Sequence, residues 1–166
     1  MTEFNSVFDD MKRDRDIAKR YVLDYENEKY SYEFKRAEYL ESKREFLTTQ
    51  RSMPASPTEA IAVANAQYDK EHPEYCWLKA VELAFKTFGE RKHIFIEVRR
   101  EAEKKSSGNR GRKGWVIYTQ RRYSEEIQKR FVNDMGWLGE RTVKSWWSQI
   151  IDCVVEIHLR LVKIYN

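Results

Sequence analysis

The sequence contains few of the residues that interrupt helices. Among its 166 residues only 6 are glycine and 3 are proline, and residues 3–50 contain neither. Apolar residues in that stretch recur at steps of three and four, as in Phe4, Phe8 and Met11, and this spacing places them on one face of a helix. Because glycine and proline are so scarce elsewhere too, the sequence predicts an all-α fold.

Residues that commonly carry catalysis or bind metals are also scarce. The two cysteines, Cys76 and Cys153, are far apart and lie among apolar neighbours, so we expect reduced thiols in the core. His72, His93 and His158 are scattered without the spacing of a metal site. Cys-x-x-Cys, phosphate-loop and Gly-x-Ser-x-Gly motifs do not occur. We therefore expect no enzyme activity, no metal and no cofactor.

Long apolar runs are missing as well. No segment approaches the roughly 20 apolar residues that span a bilayer. The first residues, "MTEFNSVFDDMKRDRD", lack the apolar core of a signal peptide. We expect a soluble cytoplasmic protein without a membrane partner.

Charged residues are abundant and unevenly distributed. They make up 35% of the chain, the formal net charge is +4 and the pI is near 9.0. Residues 104–122 contain seven lysines and arginines and no acidic residue, which is the pattern of a phosphate-binding segment. Within it, "NRGRKG" (109–114) is either a flexible basic loop or a minor-groove hook. The candidate phosphate-binding residues are Lys105, Arg110, Arg112, Lys113, Arg121 and Arg122.

The first two thirds of the chain divide into three segments. Residues 1–50 form a charged helical arm, with breaks predicted at Arg15 and around Asn27–Lys29; it is either a solvated arm or a helix for homo-oligomerisation. Residues 51–105 form a central helical region. It begins with a capping box at Ser56 and Glu59 and ends with a long helix from Glu74 to about Lys105, which a break near Gly89 could divide. Residues 106–122 form a basic loop and connector, in which "WVIYTQRRY" is a strand or a helical turn.

Residues 123–166 match a helix-turn-helix. The pattern predicts a bracing helix that starts after Ser124 and runs to Met135, a tight glycine turn, and a last helix from about Glu140 to Val162. The last helix has one apolar stripe, formed by Val143, Trp147, Ile150, Val154, Ile157 and Leu161. The predicted core of the unit consists of Ile127, Phe131, Met135, Gly136, Gly139, Val143, Trp147 and Ile150.

The side chains opposite this stripe suit base reading in the major groove. Arginine can bind guanine with two hydrogen bonds, glutamine can bind adenine, and serine, threonine and lysine suit phosphates or base edges. The candidate base-reading residues are Arg141, Thr142, Lys144, Ser145, Ser148 and Gln149. Trp146 flanks the stripe and is either part of the core or a stacking surface. An ordinary buried helix after a glycine turn has the same amphipathic pattern.

The segment "MGWLGERTVKSWW" resembles the turn and recognition helix of sigma-factor region 4-like domains. Two departures are a turn one residue longer, through Trp137-Leu138-Gly139, and Val132 where a smaller residue is usual. Residues 50–160 are also similar to small late-gene transcriptional regulators of phages of Gram-positive hosts, the ArpU and RinA type and their lactococcal-phage relatives. The shared features include an "SP.EA" segment at Ser56–Ala60, a basic stretch and the region 4-like end.

This resemblance implies a DNA-binding transcriptional activator in the cytoplasm of a bacterial host. Its partners would be promoter DNA upstream of phage morphogenesis or packaging genes and the host RNA polymerase. Two other functions stay open at this point. A small terminase-like packaging subunit also joins a helix-turn-helix to oligomerisation helices, and it would form a ring rather than a monomer or dimer. A helical protein-interaction module would not use the basic segment.

Overall fold

The computed structural model describes residues 2–49, 56–106, 114–131 and 133–165. These residues form helices and no strands, which confirms the all-α prediction. The seven helices of the described part are α1 (Thr2–Leu23), α2 (Tyr25–Thr49), α3 (Pro57–Glu71), α4 (Glu74–Thr87), α5 (Glu90–Ser106), α6 (Gly114–Arg130) and α7 (Glu140–Tyr165). No described helix combines the length and apolar character that a bilayer crossing requires.

Helix α7 lies at the centre of the bundle, against α4, α1 and α6, while α5 pairs with α6. Its apolar stripe is buried at Val143, Trp147, Ile150 and Val154, as predicted, and Ile151 is buried beside it. The last two members of the predicted stripe, Ile157 and Leu161, are only half-buried against the core. The helix is therefore held most firmly along its first half, which is the part that carries the candidate base-reading residues.

The N-terminal segment is part of the core, so the solvated-arm interpretation is wrong for α1. Ala18, Tyr21 and Val22 are fully buried, and α1 packs against α4, α5 and α7. The break between α1 and α2 is at Asp24, between the two predicted positions. Backbone hydrogen bonds continue through it, because the Asp24 amide donates to the Arg20 carbonyl and the Asp24 carbonyl accepts from Glu28. The two helices thus form one kinked unit.

Three aromatic rings stack across α1, α4 and α7. The indole of Trp77 lies 6.0 Å from the Tyr21 ring and 3.5 Å from the His158 ring, centroid to centroid, and is nearly parallel to both. Burial lowers the pKa of His158, so its ring is held neutral within the stack. Of the two cysteines, Cys76 is buried and Cys153 half-buried, and both are free thiols.

The helices of the central region start at Pro57 and Glu74, as predicted, and the second is divided at the possible break near Gly89. Residues 74–105 form two helices, because Phe88 takes an extended conformation and α5 starts again from the Gly89 carbonyl, which accepts from Lys92 and His93. The start of α3 after Ser56 is as predicted, but the Ser56 side chain makes no capping hydrogen bond. The predicted capping box is therefore not formed.

Helix α6 is displaced towards the N-terminus relative to the predicted bracing helix. It begins at Gly114, so "WVIYTQRRY" is helical and Ser124 lies inside the helix rather than at its cap. Val116, Thr119, Tyr123 and Ile127 face the core at steps of three, four and four. The helix ends at Arg130 instead of Met135. Residues 114–122, predicted as a connector, thus belong to the helix that packs on α5.

Candidate nucleic-acid interface

The chain between α6 and α7 is longer than the turn of a helix-turn-helix. Residues 131–139 lie between the two helices, whereas the motif joins its helices by three or four residues. The predicted tight turn is therefore wrong, because α6 ends early. Val132 lies outside the described residues.

This linker is fastened to α6 by side-chain hydrogen bonds. Ser124 Oγ donates to the Met135 carbonyl at 2.7 Å, and Gln120 Nε2 donates to the Leu138 carbonyl at 2.7 Å. Gly136 has a φ of +59° and its amide donates to Asp134 Oδ1 at 2.8 Å. A left-handed backbone favours glycine, so the predicted turn role of Gly136 is confirmed at this position.

The predicted core of the helix pair is mostly formed. The fully buried members are Ile127, Val143 and Ile150. Gly136 and Trp147 are also buried, and Phe131 is half-buried. Gly139 is exposed, and Met135 is 74% exposed. Met135 was predicted in the core because the predicted bracing helix ran to it. In the structure Met135 lies in the linker, and its carbonyl accepts hydrogen bonds from Ser124 and Gln128 while its side chain is exposed. Leu138, which sequence reasoning left in the turn, is buried in the core instead.

Four of the six candidate base-reading residues are exposed. Arg141, Lys144, Ser145 and Gln149 are on the surface, and Thr142 is half-exposed. Arg141, Ser145 and Gln149 follow one another at steps of four, which aligns them along the outer face of α7. Gln149 Nε2 donates to Ser145 Oγ at 3.2 Å, while Lys144 pairs with Glu140 at 2.5 Å. We call Arg141, Ser145 and Gln149 the α7 column.

The sixth residue, Ser148, is engaged by α1. Arg15 Nη2 donates to Ser148 Oγ at 3.0 Å, and the same guanidinium pairs with Asp152. Helix α1 therefore covers this side of α7 from Ser148 onwards. Beyond it the outer face carries Asp152 and Glu156, whose carboxylates are paired with Arg15 and Arg160, so this stretch presents no excess positive charge to an anionic partner. The exposed members of the α7 column thus lie in the first half of the helix.

Helix α5 contributes two cations that the sequence did not associate with α7. Lys92 Nζ is 3.5 Å from Gln149 Oε1, and Arg91 lies over the Phe131 ring and pairs with Asp134. The Lys92–Gln149 pair is separated by 57 residues in the chain, so no local pattern could indicate it.

The position of Trp146 decides between its two interpretations. Its ring packs edge-on against Phe95 and Tyr123, with centroids 5.7 and 6.0 Å apart. Trp146 is therefore part of the core and not an open stacking surface, although it also lines a shallow groove of about 480 Å³ with Phe88, Phe131 and the two α5 cations.

The basic segment is balanced by acids where it is described. Arg110, Arg112 and Lys113 lie outside the described residues. Lys105 Nζ donates to Glu101 and to the Tyr118 hydroxyl, both at 2.9 Å. Arg121 is 83% exposed and pairs with Glu125 at 3.1 Å. The described cations of the segment thus have intramolecular partners.

Arg122 is the most strongly paired of them. It contacts Glu125 at 2.5 Å, Glu126 at 3.2 Å and, across to α5, Glu101 at 3.4 Å. A hydrogen bond from Tyr118 and a second from Lys105 lower the pKa of Glu101 to about 2, so this carboxylate stays ionised. The hydrogen bond to Glu125 in turn raises the pKa of Arg122. Arg122 therefore joins α5 to α6, and it is not one of the proposed phosphate-binding residues.

Replacing Arg122 with glutamine should therefore affect stability rather than DNA binding. We expect the free energy of unfolding in urea to fall by about 1 kcal/mol, the order of a half-buried ion-pair network. Arg121→Gln is the matched control, because its side chain is 83% exposed against 28% for Arg122. It should change stability by less than about 0.5 kcal/mol. If DNA binding by Arg122→Gln depended less on salt than that of the unchanged protein, Arg122 would be a phosphate contact after all.

Comparisons with protein-family models, with curated proteins and with solved structures find no match to this chain. Among the residues that the structure covers, no three His, Cys, Asp or Glu side chains are grouped as metal ligands.

Proposed function

We propose that the chain binds double-stranded DNA through the first turns of α7 and regulates transcription. The observation that carries this proposal is the α7 column: Arg141, Ser145 and Gln149 are exposed side by side on a helix whose opposite face is buried from Val143 to Val154. These side-chain types form the hydrogen bonds by which proteins distinguish base pairs in the major groove. A helix anchored in a core holds them in a fixed register.

The surroundings of the column favour an approach to DNA by the N-terminal end of α7. Recognition helices contact bases with their N-terminal residues, and here Arg15 of α1 binds Ser148 on one side of α7 while Gln149 stays exposed. Lys92 lies beside Gln149 and would contact a phosphate. The basic residues 110–113, between α5 and α6, would add further phosphate contacts. The more specific role, activation of phage late genes with the host polymerase, rests on the sequence resemblance alone.

Replacing Arg141 with alanine tests the proposal. The best site would first be selected from fragmented phage or host DNA by pull-down and sequencing. We expect Arg141→Ala to weaken binding to this site by about 1–3 kcal/mol and to relax the preference at one base pair. Binding would be measured by fluorescence anisotropy on the selected duplex and on a single-position library.

Arg160→Ala is the matched control, because Arg160 is also an exposed arginine of α7 but lies at the far end of the helix, where it pairs with Glu156. It should bind as the unchanged protein does. If Arg141→Ala and Arg160→Ala bound every sequence equally well, α7 would not read bases. If no fragment were enriched at low salt, the chain would not be a DNA-binding protein.

A further inference from the structure

Large apolar side chains are exposed on the outer side of α6 and on the linker. Ile117 is 66% exposed and Trp137 is 72% exposed, although side chains of this size usually lie in the core or in an interface. They share a groove of about 310 Å³ whose other lining side chains are polar or charged. We call this surface the α6 face; it is lined by Ile117, Gln120, Arg121, Ser124, Glu125, Gln128 and Trp137.

The α6 face is rigidly positioned. Ser124 and Gln128 both donate to the Met135 carbonyl, and Gln120 donates to the Leu138 carbonyl, so the backbone on each side of Trp137 is bound to α6. The indole is thus presented by fixed backbone rather than by a free loop. A preordered aromatic side chain loses little entropy on binding, which suits it to anchor an interface.

We propose that the α6 face binds a second copy of this chain, with the two α6 helices antiparallel about a twofold axis. The α6 face is complementary in charge to a second copy of itself. Arg121 and Glu125 lie one turn apart on the exposed stripe and pair within the helix. A twofold axis between them places each Arg121 opposite the second copy's Glu125, while Trp137 and Ile117 of both copies close the groove. A symmetric interface requires such a self-complementary surface.

This arrangement would also orient α7. Only Leu138 and Gly139 separate Trp137 from Glu140, the first residue of α7. Dimerisation on the α6 face would therefore relate the two α7 columns by the same twofold axis, as a palindromic DNA site requires. The dimer itself does not depend on the proposed function, since it is tested without DNA.

The alternative dimer surface is on the N-terminal helices, which the sequence predicted as possible oligomerisation helices. Tyr30 is 71% exposed and stacks on Phe34 on the outer side of α2, with ring centroids 6.4 Å apart. It gives a matched comparison for Trp137, because both aromatic side chains have the same exposure and neither supports the core.

The first experiment compares Trp137→Asp with Tyr30→Asp in the full chain by sedimentation velocity and light scattering. We expect a mass of twice 20.1 kDa for the unchanged protein. Trp137→Asp should raise the dimer dissociation constant at least about 30-fold, the effect of losing an interface anchor. Tyr30→Asp should leave it unchanged, and circular dichroism should show the same helix content in all three proteins.

The second experiment exchanges charges. Arg121→Glu and Glu125→Arg should each dimerise more weakly alone, because like charges then face each other across the axis. In a mixture the two variants should form a heterodimer, since each glutamate then faces an arginine. The broken pair within each helix is not repaired by mixing, so recovery would report the contact between chains.

Three outcomes would overturn the proposal. The first is a monomer at every concentration up to the solubility limit. The second is dissociation by Tyr30→Asp but not by Trp137→Asp, which would place the interface on α2. The third is a monomer whose DNA affinity falls in Trp137→Asp, which would make the α6 face a nucleic-acid contact. A dimer that binds no DNA would refute only the proposed function.

Discussion

Gly136→Ala should lower the free energy of unfolding by about 2–5 kcal/mol. The residue has a φ of +59°, where an L-residue costs roughly 1–2 kcal/mol. In addition, a new Cβ would lie 2.5 Å from Ile127 Cβ and 2.7 Å from its Cγ2. Ile127 is fully buried and has no room to move, so relieving this contact costs about 1–3 kcal/mol more. Urea unfolding followed by circular dichroism would measure the change.

Two other glycines provide the control. A Cβ at Gly139 would meet only Thr142 Oγ1, at 4.0 Å, and one at Gly89 would meet nothing within 4 Å. Neither has a positive φ. Gly139→Ala and Gly89→Ala should therefore stay within about 0.5 kcal/mol of the unchanged protein. If all three variants lost the same free energy of unfolding, the contact with Ile127 would not be what makes alanine unfavourable at position 136.

The parts of the fold that were predicted correctly depend on local periodicity. The stripe of α7 from Val143 to Val154 repeats every three or four residues, and this spacing alone determines which face is buried. The start of α6 could not be predicted in the same way. "WVIYTQRRY" contains β-branched and aromatic residues that suit a strand equally well, and its helical state depends on packing against α5.

The candidate site shows the same limit. A window from 104 to 122 without acids indicates a basic surface, yet a helix places Glu125 and Glu126 one turn beyond Arg121 and Arg122. Glu101 comes from the neighbouring helix. The contact that removes Ser148 from the open face joins residues 133 positions apart. Such neighbours depend on how the helices pack, so single-helix patterns exaggerated both the charge and the length of the interface.

Arg99→Ala should lower the free energy of unfolding by about 2–4 kcal/mol. Arg99 is 6% exposed, and its guanidinium lies between two indoles, 4.4 Å from the Trp115 centroid and 5.0 Å from that of Trp147. It also donates to Glu103 at 2.7 Å. A desolvated cation–π contact contributes about 2 kcal/mol, and truncation also leaves a gap between α5, α6 and α7. The change would be measured by urea unfolding at several salt concentrations.

Arg20→Ala is the control that shows how much of the effect depends on burial of the cation–π contact. Arg20 lies over the Tyr21 ring at 5.1 Å, but its side chain is 59% exposed, so its loss should cost at most about 1 kcal/mol. Arg99→Lys should fall between the two alanine variants, because an ammonium keeps the charge but cannot stack as a plane on both indoles. If Arg99→Ala cost no more than Arg20→Ala, the desolvation of the buried guanidinium would cancel what the two tryptophans contribute. In that case Arg99 would serve to orient Trp115 and the entry into α6, not to stabilise the core.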